Sequence, residues 1–187
     1  MTDAAVAIAL EASGNVCVTG ESDDADSMAY SMERDFATIK YNSNGIQQWV
    51  ARYDGPAISL DHATALALDD TGNVYVAGNR RGYGSNQWHN AIVIAKYDPA
   101  GLRQWVDTIL VDSADARVAG IVVDNSGYVY VGSTIIRWYF QWPQRSHIIT
   151  ARYDPAGQRE WIRSYDSSSG LNYLGTALAV DREGSRL

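Results

Sequence analysis

The stretch YDPAGLRQW, residues 97–105, returns as YDPAGQREW at 153–161 and as YNSNGIQQW at 41–49, each time 56 residues away. Every copy places Asp or Asn second, Gly fifth and Trp last. A late Gly supplies the positive φ that a tight turn needs, and Pro behind the opening Asp presets φ for the turn. On either side lie AIVIAKY (91–97) and RQWVDTIL (103–110), rich in β-branched and aromatic residues. Two such runs joined by a short Gly-containing turn predict a β-hairpin.

A second turn recurs between the first ones. ALEASGNVCVTG starts at Ala9, ALDDTGNVYVAG at Ala67 and VVDNSGYVYVGS at Val122, and a partial copy, AVDREGSRL, follows. Their glycines, Gly14, Gly72, Gly127 and Gly184, stand 58, 55 and 57 residues apart. Each repeat therefore reads as four strands, exemplified by ATALALD (63–69), NVYVAGN (73–79), 91–97 and 103–110. The first strand is apolar on both faces, with Ile8, Leu66, Ile121 and Leu178 on one and Ala9, Ala67, Val122 and Ala179 on the other. That pattern predicts burial on both sides, where sheets converge. Repetition of a four-stranded unit at this period is the mark of a propeller. The expected fold is all-β: a β-propeller-like array of four-stranded antiparallel blades, with three full repeats and one strand of a fourth. The units run from about 4–60, 61–115 and 116–173, with a partial unit at 174–187.

The segments DDTGNVYVAG, DFATIKYNSNGIQQWVARYDG and NAIVIAKYDPAGLRQW together resemble bacterial SBBP-type β-propeller repeats, and GNVYVAG is similar to NHL-type blades. The resemblance covers nearly the whole chain. It implies a propeller, often in large extracellular or cell-surface proteins, and implies no shared reaction or catalytic residue. A ring takes roughly 4–8 blades. Three units are thus expected either to belong to a longer chain or to self-assemble, two copies completing a ring as a homo-oligomer.

Composition narrows the partners. A net charge of −7 without a Lys/Arg cluster disfavours nucleic acid. No run approaches the roughly 18 apolar residues of a membrane helix, and the first twenty residues carry no export signal. The single cysteine, Cys17, stands where Tyr75 and Tyr130 stand in the other copies and reads as a core residue.

In each blade the turns after strands one and three share one face, called here the turn face. The connections after strands two and four share the other, the loop face, and carry the variable segments, including 21–34, 80–90 and 134–146. Binding is expected there. The segment TIIRWYFQWPQRS (134–146) offers Trp138, Tyr139, Phe140 and Trp142 for sugar stacking or a protein interface, or for packing on a neighbouring blade. RRGYGSNQWHN (80–90) adds Arg80, Arg81, Tyr83, Trp88 and His89. Asp23, Asp24 and Asp26 invite calcium, but the EF-hand pattern is missing. Asp61, Asp112 and Asp115 also fall on this face, with no spacing that pairs them. No histidine pair has ligand spacing and no catalytic motif occurs, so the expectation is no catalytic residue, no metal and no cofactor. The chain reads as a non-catalytic module that binds a glycan or protein or acts as a scaffold. The alternatives are a fragment of a propeller enzyme acting on polysaccharide, or a purely structural surface-protein repeat.

Overall fold

The computed structural model describes residues 3–23, 34–55, 59–84, 87–111, 114–137, 145–166 and 175–179. Twelve strands form three four-stranded antiparallel units, and no helix occurs among the described residues. Unit one contains β1 (Ala4–Leu10), β2 (Val16–Asp23), β3 (Arg34–Tyr41) and β4 (Gln47–Tyr53). Unit two contains β5 (Ser59–Leu68), β6 (Val74–Gly84), β7 (Gln87–Tyr97) and β8 (Arg103–Leu110). Unit three contains β9 (Ala114–Val123), β10 (Val129–Arg137), β11 (Arg145–Tyr153) and β12 (Arg159–Tyr165). Each strand pairs with the next in its unit, and a single parallel pairing, Arg34 with Leu60, joins the sheets of units one and two.

The turns follow from their sequence. Gly45, Gly101 and Gly157 have φ of 77°, 84° and 87°. In the turn after β7, Asp98 Oδ1 accepts the N–H groups of Ala100 and Leu102, both at 2.9 Å. Asn42 performs the same task after β3, at 3.0 and 2.9 Å. A short side chain with an acceptor two atoms from Cα can close this ring onto its own turn, which is why Asp and Asn recur there.

The core lies between units rather than within one. Strand β6 alternates: Val74 and Val76 join Val93, Ala95 and Tyr97 against Cys17, Phe36 and Tyr53 of unit one. Tyr75 and Ala77 join Ile92 and Ile94 against Val118, Ile121, Val131 and Tyr153 of unit three. Both faces of unit two are therefore buried. The first strand of each following unit lies across its predecessor, β5 over β1–β3 and β9 over β5–β7.

Two expectations need correction. Within the segment 80–90, residues 80–84 and 87–90 are strand rather than loop: β6 and β7 extend, with Arg81 opposite Asn90, Gly82 opposite His89, Tyr83 opposite Trp88 and Gly84 opposite Gln87. Continuing the ladder satisfies backbone N–H and C=O groups that a loop would leave to solvent. The expected strand over 175–180 is absent from residues 175–179. A first strand takes its ladder from the second strand of its own unit, as β9 does from β10, and none follows among the described residues. The segment instead rests on unit three, where Gly175 N–H donates to Thr134 Oγ1 at 2.8 Å. Leu178 lies there against Gly120 and Gly132.

Candidate functional site

At the turn face the repeated tryptophans bind one unit to the next. Trp49 of unit one lies on the Pro99–Gly101 turn of unit two and donates its indole N–H to the Pro99 carbonyl at 2.9 Å. Trp105 lies likewise over the Gly157 turn of unit three, stacking on Tyr153 with ring centroids 5.9 Å apart, but its buried indole N–H has no hydrogen-bond partner among the described residues. A Cβ on Gly101 or Gly157 would fall 2.7 or 2.5 Å from these indoles. Each glycine is thus required twice, for its positive φ and for the ring above it. Between the turns of units two and three opens a cleft of about 300 Å³, lined by Asp69, Tyr75, Lys96 and Asp124. Its counterpart between units one and two is occupied by Glu11, which pairs with Lys40 and comes within contact of Gly72.

Toward the loop face the two junctions differ in chemistry. Where units one and two meet, Asp35 is the second residue of β3, β4 is followed by Asp54 and Gly55, and β5 carries Asp61 opposite Arg80 of β6. One carboxylate oxygen from each of Asp35, Asp54 and Asp61 lies within 4.8 Å of the other two. Asp35, Asp61 and Arg80 are buried, and Asp54 is exposed. Asp61 Oδ2 accepts the Gly55 N–H at 2.7 Å and the Ser59 hydroxyl at 3.2 Å. Its Oδ1 is buried without a hydrogen-bond partner. Burial pushes the Asp61 carboxyl up to about 6, against the pull of those hydrogen bonds and of Arg80, while the charge of Asp35 adds to the rise. The Tyr53 hydroxyl lies within reach of Arg80 and Thr108. A side chain at Gly55 would meet Asp61 Oδ2 and Arg80 Cδ at 2.7 and 2.9 Å, so only glycine leaves this space.

Around the cluster runs a wider polar network. Arg34 reaches Glu21 at 2.8 Å and Asp23 at 3.4 Å, His62 Nδ1 donates to Glu21, and Arg52 lies 3.6 Å from Asp35. Arg81 holds Asp115 of unit three through two nitrogens, Nε at 3.2 Å.

Of the residues singled out from sequence, Arg80 is buried beside Asp61 and Arg81 is engaged by Asp115. Tyr83, Trp88 and His89 belong to the β6–β7 hairpin. Asp23 is paired with Arg34. Trp138, Tyr139, Phe140 and Trp142, and likewise Asp24 and Asp26, lie outside the described residues. Cys17 is buried in the core between units one and two, and burial raises its thiol to about 11, which keeps it protonated. The meeting of Asp35, Asp54 and Asp61 escaped the sequence reading. One signal was available: at these repeat positions the next unit has Ala91, Leu110 and Ala116.

The molecule is an all-β protein of stacked four-stranded units. No family model matches the chain, and no curated protein matches it. Among solved structures it is similar to the Hadza microbial sialidase Hz136, with 13% identity and a TM-score of 0.46. The match covers 79% of this chain and 34% of that one, so the chain spans about a third of the length of the structure it matches.

Proposed function

We propose that this chain is a non-catalytic β-propeller repeat module of the SBBP type, a scaffold whose units stack through one repeated interface and whose open face takes a second copy. The observation that carries this is the contrast at one repeat position. Ile121 of unit three is 5% exposed beneath unit two, whereas Ile8 of unit one is 72% exposed. Val6 and Leu10 extend the same uncovered stripe. On unit two this face is core, sealed by unit one. An apolar sheet face of this kind favours a partner with the matching surface.

The opposite end carries that match. Trp161 packs edge-on to Tyr130 and has no following turn beneath it among the described residues. Gly45, the turn glycine of unit one, has nothing within 4 Å of its Cβ position. Trp161 of one copy over Gly45 of the next would repeat the seats of Trp49 and Trp105. Leu178 sits six residues before Gly184, as Ile8 sits six before Gly14. The incoming Ile8 would therefore displace Leu178 from unit three.

Light scattering at micromolar concentration tests this. The chain is expected as a dimer or larger assembly, and Ile8→Asp with Leu10→Asp is expected to give a monomer with an unchanged circular dichroism spectrum. A folded wild-type monomer would overturn the proposal.

A further inference from the structure

We infer that Asp35, Asp54 and Asp61 form a binding site for a divalent hard cation, calcium being the ion of matching chemistry, which clasps unit one to unit two at the loop face. The donors are all carboxylate oxygens, the set that hard cations select. Their mutual separation, within 4.8 Å, suits ligands of one ion, because two oxygens on a single calcium span at most roughly 5 Å. Two of the three carboxylates are buried, where charge without compensation is costly.

A second observation points to a ligand independently of the clustering. Asp61 is fully buried, and its Oδ1 has no hydrogen-bond partner. The protein satisfies Oδ2 twice, from Gly55 and Ser59, and leaves the other oxygen bare. A buried anionic oxygen left in that state calls for an explanation, and a bound cation is one.

The scaffold itself does not require these charges. Counted from the repeated turns, Ala91 stands six residues before Tyr97 as Asp35 does before Tyr41. Leu110 follows Trp105 by five residues as Asp54 follows Trp49. Ala116 precedes Gly127 by eleven as Asp61 precedes Gly72, and Ile135 follows Gly127 by eight as Arg80 follows Gly72. The next junction packs that place with apolar side chains, among them Ala116 and Ile135 of its core. Arg80 offsets part of the negative charge, and the exposed Asp54 gives an ion its route in.

Calorimetric titration of the chain with calcium chloride, beside thermal unfolding at rising calcium, tests the site. One saturable event per chain and a rising midpoint are expected. Asp61→Asn and Asp54→Asn should each weaken calcium binding at least tenfold. Asp54 is exposed, so its variant keeps the fold if Asp61→Asn does not. Asp70→Asn, an exposed carboxylate elsewhere, should leave affinity unchanged. The inference fails if the wild type shows no saturable binding, if Asp54→Asn binds as tightly as wild type, or if Asp70→Asn loses as much affinity, which would indicate diffuse attraction to an acidic surface.

Discussion

The two junctions of this molecule are built on one plan and finished differently. Both bury the same strand faces, both seat a tryptophan on the next unit's turn, and both run a first strand across the preceding sheet. In the loop-side half of the junction of units two and three, Ala116, Ile135, Ile109 and Val111 close the core, with the Arg81–Asp115 pair beside them. That of units one and two places Asp35, Asp54, Asp61 and Arg80 where its neighbour has Ala91, Leu110, Ala116 and Ile135. The turn-side halves are reversed: Glu11 fills the space between units one and two, while the shorter Asp69 curls into its own turn and leaves a cleft. Packing therefore accounts for what the junctions share, and the departures mark where a chemical role is to be sought.

Removing the buried cation of the charged junction should have the largest effect. Arg80→Ile leaves Asp61 without its neighbouring positive charge, and loss of one partner from a buried charged group costs about 3 kcal/mol or more. Adding Asp35→Ala and Asp61→Ala rebuilds the junction in the apolar pattern of its neighbour. That triple variant should recover the loss in calcium-free buffer. Urea denaturation at pH 7.5 reads both, and an Arg80→Ile midpoint equal to wild type would remove the charged junction from the account.

The tryptophan seats come next. Gly101→Ala meets both an unfavourable φ and the Trp49 ring, and should cost about 2–4 kcal/mol. Gly45→Ala has the same backbone but open space, and should cost about 1 kcal/mol. Equal losses in urea unfolding would show that the indole yields and that the seat adds nothing. The smallest effect belongs to the turn acceptors. Asp98→Ala should lose about 1 kcal/mol, whereas Asp98→Asn, which keeps the Oδ1 that Asn42 uses in unit one, should lie within about 0.5 kcal/mol of wild type.

The turns, the four-stranded units and the alternation of buried faces were legible in the sequence because each rests on contacts a few residues long. Asp98 reaches only to Leu102, and a β-strand alternates whatever lies beyond it. Trp49 and Trp105 were legible as repeated residues, but not as rings lying over the next unit's turn glycine. What only the tertiary structure decided is which distant side chains meet. Asp61 read as a loop-face carboxylate with no spacing that pairs it, and Asp35 and Asp54 carried no signal of their own. The register of β3 and β5 and the stacking of unit two on unit one bring Asp35 and Asp61 beside Asp54. The pairing of 80–84 with 87–91 is of the same kind. Gly82 and Gly84 read as a loop, and the ladder begun deeper in the sheet carried the pairing through them, since cooperative backbone hydrogen bonding outweighs the weak local preference of glycine.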